Sequence, residues 1–231
     1  MYAVQGVISG DGNTVSWFEE LSDSEGTAGM EGVFIRSIPG GPARLASRPE
    51  GTAKVALPAA NVFYDGSRNR MSSDSRYIVF TVNVKQFFPG LADNSYQVVR
   101  RDLMTGKLEV ISRKTGDGSF SNYSDGASIS SDGNIVTFGT TDNLVPEDTN
   151  GDADIYVRNI AAKTTKLVTQ NDAGVVSDNG AGNGVVSGDG NSVAFTSSSA
   201  NLGAPGGVSN IYVRNLVTNK TVLVSRSNGG N

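Results

Sequence analysis

ISSDGNIVTFG, residues 129–139, reads as a short apolar run, a Ser-x-Asp-Gly turn and a second alternating apolar run. Asp-Gly between two such runs signals a two-residue hairpin of type I′, in which both central residues take positive φ. The stretch is therefore expected to be two antiparallel strands joined at Asp132 and Gly133. Three other segments share its form: ISGDGNTVSWF from Ile8, MSSDSRYIVFT from Met71 and VSGDGNSVAFT from Val186. Their anchor residues are Asp11, Asp74, Asp132 and Asp189, spaced by 63, 58 and 57 positions. Six positions after each anchor stands an aromatic: Trp17, Phe80, Phe138 or Phe195.

Two further marker sets keep the same register. GVFIRSI, QVVRRDL, DIYVRNI and NIYVRNL place Phe34, Val99, Tyr156 and Tyr212 between 23 and 25 positions after the anchor. ARLAS, LEVIS, KLVTQ and VLVSR place Ser47, Ser112, Thr169 and Ser225 a constant 13 positions later. Such regularity marks an internal repeat, sought before any other feature. Each unit reads as four short antiparallel strands: two around the anchor turn, a third after a long connection, and a fourth after a turn rich in Thr, Asn, Gly and Lys. Four such units imply an all-β protein, a β-propeller of four four-stranded antiparallel blades. The blades are expected at about 1–50, 51–114, 115–171 and 172–231, within one domain. The aromatics after the anchors fall on one face of the second strand and are expected to pack between neighbouring blades.

Composition agrees with that class and excludes others. The chain has 231 residues with 29 Gly, and its turns are rich in Ser, Thr, Asn and Asp. It has no His and no Cys, which removes imidazole and thiol catalysis, disulfides and zinc–thiolate sites. Net charge is −4 and Lys and Arg form no stripe, so no nucleic-acid partner is expected. No apolar run approaches the roughly 18 residues of a membrane helix, and no secretion signal opens the chain.

The units resemble TolB-type, WD-repeat-like propeller blades, whose pattern pairs a Ser-x-Asp-Gly turn with a later Tyr-Val-Arg-Asp-Leu strand. The likeness covers essentially the whole chain and includes TTDNLVPEDTNGDADIYVRNI (140–160), echoed as SSANLGAPGGVSNIYVRNL (198–216). The first two units replace that phrase with FEELSDSEGTAGMEG and VNVKQFFPGLADNSYQ. The resemblance implies a bacterial envelope location, periplasmic or extracellular. Four blades form either a compact ring or part of a larger propeller; the tail SNGGN, like the start of another inter-blade link, favours the second. An open arc would leave an apolar face at each end and is expected to self-associate.

In an up-and-down blade the second-to-third loops and the inter-blade links share one face, and here both are long. Binding usually sits on long loops over a rigid scaffold, so a protein or glycan partner is expected on that face. The first link is longer than the others and holds the insertion EGTAKVALPAANVFYDGSRNR (50–70), whose apolar residues imply an ordered cover. The function expected is a non-enzymatic binding or scaffold module. The alternative is the accessory propeller of a larger hydrolase, a glycan-active enzyme or a serine peptidase, with its catalytic residues outside this chain.

The strongest chemical candidate is VPEDTNGDADIYVR (145–158). Asp148, Asn150, Asp152 and Asp154 occupy positions 1, 3, 5 and 7 of a loop, as oxygen ligands do in a calcium loop. Ala153 stands where the sharp-turn Gly belongs, and Asn159 where the bidentate Glu belongs. The stretch is thus either a Ca²⁺ site or a turn bonded to its own backbone, and Asp152 is the carboxylate the other units lack. Glu19, Glu20, Asp23 and Glu25 form a second acidic cluster, read as a solvated loop in preference to a cation site or a glycosidase pair. Arg36, Arg101, Arg158 and Arg214 recur at one repeat position, which implies a structural task.

Overall fold

The computed structural model describes residues 2–21, 30–50, 62–63, 70–88 and 95–226. Among the described residues sixteen strands form four antiparallel sheets. The first holds β1 (Tyr2–Ile8), β2 (Thr14–Leu21), β3 (Met30–Ser37) and β4 (Arg44–Leu45). The second holds β5 (Val62–Phe63), β6 (Tyr77–Asn83), β7 (Tyr96–Asp102) and β8 (Leu108–Val110), with one helical turn, α1 (Val84–Phe87), after β6. The third holds β9 (Asp125–Ile129), β10 (Ile135–Thr140), β11 (Asp154–Asn159) and β12 (Thr164–Leu167). The fourth holds β13 (Ala181–Val186), β14 (Ser192–Ser197), β15 (Asn210–Asn215) and β16 (Lys220–Leu223). Strand order within every sheet follows the chain, the up-and-down blade of a β-propeller. Of the long insertion, β5 is described; its remaining apolar stretch and the residues Asp23 and Glu25 lie outside the described residues.

The anchor segments are hairpins, but their turn is not type I′. Positive φ occurs once per turn, at Gly12 (74°), Ser75 (61°), Gly133 (74°) and Gly190 (74°), and not at the Asp residues. The reason lies in the serine two positions before each anchor. In the third blade the Ser130 hydroxyl donates to Asp132 Oδ1 at 2.6 Å, and the same oxygen accepts the Asn134 N–H at 2.9 Å. Ser130 Oγ in turn accepts the Ile135 N–H at 2.9 Å. The set is repeated around Ser9 and Asp11, Ser72 and Asp74, and Ser187 and Asp189. Side chains thus close a wider loop that needs one left-handed residue rather than two. The Ser9 hydroxyl and the Asn13 N–H hold the Asp11 carboxyl down at about 2.

These turns also connect one blade to the next. Asp11 N–H donates to Ser73 O at 2.8 Å, Ser73 N–H to Ser131 O at 2.9 Å, and Ser131 N–H to Gly188 O at 2.8 Å. The backbones approach so closely that a Cβ on Gly10 would stand 2.3 Å from Ser73 Oγ.

Apolar burial lies between sheets, as expected from the aromatics. Phe80 packs with Phe18, Val33 and Ile35 of the first sheet. Phe138 packs with Val79, Val98 and Ile111 of the second, and Phe195 with Ile155, Val157 and Val168 of the third. The second-strand aromatic stacks on the third-strand marker in its own sheet, with ring centroids 5.8 Å apart for Phe138–Tyr156 and 5.7 Å for Phe195–Tyr212. Trp17 and Phe34 stack likewise at 5.9 Å, but on the one such face that no described sheet covers.

The recurring arginines pin the inter-blade links. Arg158 is buried and donates to Lys114 O at 3.0 Å, Gly116 O at 2.7 Å and Thr165 Oγ1 at 3.1 Å. Arg214 donates to Gln170 O, Asn171 O and Thr221 Oγ1, and Arg101 to Arg48 O and Gly106 O. Each therefore holds the link entering its own blade. Arg36, in the first blade, is exposed and meets Gly41 O. Removing Arg158 takes a charged donor from the Lys114 and Gly116 carbonyls and from Thr165, so Arg158→Ala should cost about 2–4 kcal/mol. Arg36→Ala should cost less than about 0.5 kcal/mol. Urea unfolding of both variants beside wild type checks the difference; equal losses would contradict the clamp.

Candidate functional site

The long-loop face is built from the β10–β11 loop (141–153), the β14–β15 loop (198–209) and the links that precede β9 and β13. Its parts are tied together by side chains. Asn122, in one link, donates through its backbone N–H and its side-chain amide to Asp142 in the β10–β11 loop, the amide at 2.8 Å. Asp178, in the next link, accepts the Ser199 hydroxyl at 2.5 Å and the Ala200 N–H at 2.8 Å from the β14–β15 loop. The Ser199 hydroxyl holds the Asp178 carboxyl below its ordinary value. These pairs confirm that loops and links share one face. The loop partners Asp142 and Ser199 each stand ten positions after their anchor Asp, but as different residue types, so residue identity did not mark them.

The sequence placed four oxygens in the loop ahead of β11, and the structure separates them into two groups. Asp148 and Asp154 are buried; Asn150 is half-buried, and Asp152 is exposed with its N–H on Asn150 Oδ1 at 2.9 Å. Asn150 also reaches across to the next link, donating to Ser177 O at 2.9 Å. Asp154 Oδ1 accepts the hydroxyls of Thr169 and Ser177, and Asp148 Oδ2 accepts the Tyr156 hydroxyl. Asp148 Oδ1 and Asp154 Oδ2 are buried with no hydrogen-bond partner. Burial raises the Asp154 carboxyl, hydrogen bonds from Thr169, Asn150 and Ser177 partly offset this, and the nearby Asp148 charge adds to the rise. Burial and the Asp148 carboxylate likewise raise the Tyr156 phenol.

The equivalent position in two other sheets is instructive. Gln97 accepts the Ser112 hydroxyl at 2.6 Å and the Ser121 hydroxyl at 3.0 Å. Asn210 accepts the Ser225 hydroxyl at 3.0 Å. A neutral amide does there what Asp154 does in the third sheet, so the hydrogen-bond pattern is a property of the repeat. The negative charge is what the third sheet adds.

An open cleft of about 470 Å³ beside β12 carries Glu147, Lys166, Asp172 and Arg214. Asp172 is bound by the Lys220 ammonium at 3.0 Å and the Thr221 N–H at 2.8 Å, and Arg214 is committed to its link. In the first acidic cluster Glu19 accepts the Trp17 indole N–H at 2.7 Å. No group of three or more acidic side chains placed to hold a metal ion occurs among the described residues.

Fold and site define a β-propeller blade array with polar long loops on one face. Solved structures with the same fold include TolB from Acinetobacter baumannii, with a TM-score of 0.57 and 13% identity over 96% of this chain and 43% of that one. A putative TolB from Agrobacterium tumefaciens gives 0.57 and 15% over 94% of this chain and 62% of that one. The β-propeller domain of the Trilobed protease from Pyrococcus furiosus gives 0.54 and 9% over 96% and 56%. The chain therefore has a TolB-like β-propeller fold, and it spans less than two thirds of these structures' own length. No protein-family profile and no curated protein matches it.

Proposed function

We propose that this chain is a non-enzymatic binding or scaffold module that meets a protein or glycan on its long-loop face. The observation that carries the reading is the cross-bracing of that face: Asn122 to Asp142 and Asp178 to Ser199 fix polar loops on a rigid frame before any partner arrives. Pre-ordering of this kind lowers the entropy lost on binding. The carboxylates and cations that could serve catalysis are mostly committed to turns and links instead. Among the described residues no helix is long and apolar enough to cross a membrane. The resemblance of its units to TolB-type blades suits a periplasmic or extracellular location in a bacterium.

A second reading, the accessory propeller of a larger hydrolase, is favoured by one observation. The chain matches over its full length to 30% of a puromycin hydrolase chain, with a TM-score of 0.56 and 10% identity. It matches over 96% of its length to 22% of the tricorn protease chain. A hydrolase domain encoded in the same reading frame would select this reading. For the first, the chain is screened against glycan arrays and immobilised envelope extracts. Glu147→Ala and Val208→Ala, exposed on the long loops, should weaken any captured ligand at least several-fold, while Met104→Ala on an opposite-face turn leaves it unchanged. Equal effects from all three would overturn the assignment of the face.

The buried carboxylates support one structural Ca²⁺ held by Asp148, Asn150 and Asp154. A divalent cation would pair the two unpartnered oxygens and cancel a buried charge that a neutral amide avoids elsewhere. With Ca²⁺ at a hundred times its Kd, the chain should gain about 2.7 kcal/mol, several degrees in Tm, over the same chain in EGTA. Asp154→Asn should abolish the shift yet remain folded, because Gln97 and Asn210 already fill this position. Asp152→Ala should keep the shift. Identical melting of wild type in Ca²⁺ and EGTA would reduce the stretch to a self-bonded turn.

A further inference from the structure

Each sheet has a near face, turned toward the preceding blade, and a far face, turned toward the next. On the near face, one register position is Ile8, Met71, Ile129 and Val186 in blade order. Met71, Ile129 and Val186 are 3%, 0% and 2% exposed, whereas Ile8 is 57% exposed. Trp17 and Phe34 beside it are half-buried, although Phe80, Phe138 and Phe195 at the Trp17 position are buried. On the far face the pattern inverts. Val33, Val98 and Ile155 are 1%, 0% and 2% exposed, and Ile211 is 47% exposed. Ala46, Ile111 and Val168 are buried, and Val224 at the same position is 52% exposed.

One substitution within the repeat widens this last face. The outer-strand position that pairs with Ile35, Arg100 and Val157 is charged in three sheets: Arg44, Glu109 and Lys166. In the fourth it is Val222, paired with Val213 and 51% exposed. Ile211, Val213, Val222 and Val224 thus form a continuous apolar patch on β15 and β16.

We propose that this far face receives the near face of the first sheet in a second copy of the chain, two copies closing head to tail into one ring. The occupant follows from the interface already present three times in the molecule. What covers Val33, Val98 and Ile155 is the near face of another blade, with its Met71, Ile129 or Val186 and its second-strand aromatic, Phe80, Phe138 or Phe195. The first sheet presents that near face, with Ile8 and the Trp17–Phe34 pair, and leaves it open. The polar contacts match as well. Among the described residues the ladder between turns ends with the Gly188 N–H unaccepted at one end and the Gly10 carbonyl unfilled at the other. Docking of a second copy sets one against the other. Arg36, which meets Gly41 O of its own blade, would meet the Arg226 carbonyl, the counterpart of Arg48 and Gln170, which accept from Arg101 and Arg214. Two copies so arranged place eight blades in one ring, within the ordinary range of propellers.

Light scattering coupled to gel filtration of the full chain tests this at tens of micromolar. The mass expected is about 48 kDa, twice the 24.0 kDa of one chain. Ile211→Lys and Ile8→Lys each alter an exposed side chain, so neither endangers the fold, and each puts a charge where the three existing interfaces bury an apolar residue. Each variant alone should run as a monomer. A mixture of the two retains one intact pair of faces and should return a species near 48 kDa. A monomeric wild type, a dimer that survives both substitutions, or a mixture that stays monomeric would each overturn the proposal.

Discussion

A four-stranded antiparallel sheet with apolar side chains on both faces cannot stand in water, and the rest of this structure follows from that. Antiparallel sheets commonly keep one face for solvent; here Phe138 and Tyr156 occupy one face of the third sheet while Ile155 and Val157 occupy the other, all buried. Each sheet must therefore be covered twice. Stacking twisted sheets face to face around an axis satisfies this for every interior blade, and leaves a debt of uncovered surface at the two ends. The buried aromatics, the arginine clamps and the apolar patch on β15 and β16 are consequences of one packing rule.

The serine–aspartate turn is the second element on which the arrangement rests. Because Ser130 and Asp132 close the loop with side-chain bonds, the backbone N–H and C=O of the residue between them are free to face sideways. Ser73 and Ser131 use those groups to join adjacent turns. The blades are thus registered by backbone bonds at one end and by the guanidinium groups of Arg101, Arg158 and Arg214 in the links. A rigid frame of this kind is what allows the opposite loops to carry polar residues without collapsing.

Much of the fold was legible in the sequence, because repeated spacing reports geometry that single-residue propensity does not. The interval from anchor to aromatic to third-strand marker placed the strands and the inter-sheet core. The turn type was not legible, since Asp-Gly statistics describe backbone preference and Ser9, Ser72, Ser130 and Ser187 act through their hydroxyls. The loop ahead of β11 was partly legible. Alternating oxygens drew attention to Asp152, which is exposed, whereas the unpartnered oxygens belong to Asp148 and Asp154. Comparing Asp154 with Gln97 and Asn210 at the same repeat position carried the signal, and it needed only the alignment of units. An apolar face at each end was expected of an open arc, but the residues that form it were not marked, because Ile8 and Ile129 look alike as sequence and only their neighbours differ.

Amide hydrogen exchange on monomeric chain, secured by Ile211→Lys, measures the central claim that the turns lock the blades into one frame. Ser73 and Ser131 lie in solvent-facing turns, yet their N–H groups should exchange as slowly as those of the buried strand β10, because each is held by the next blade. Gly188, at the same position of the last turn, should exchange at the rate of an open loop. Ser73 and Ser131 exchanging as fast as Gly188 would show that the blades are not joined at their turns and would contradict the account.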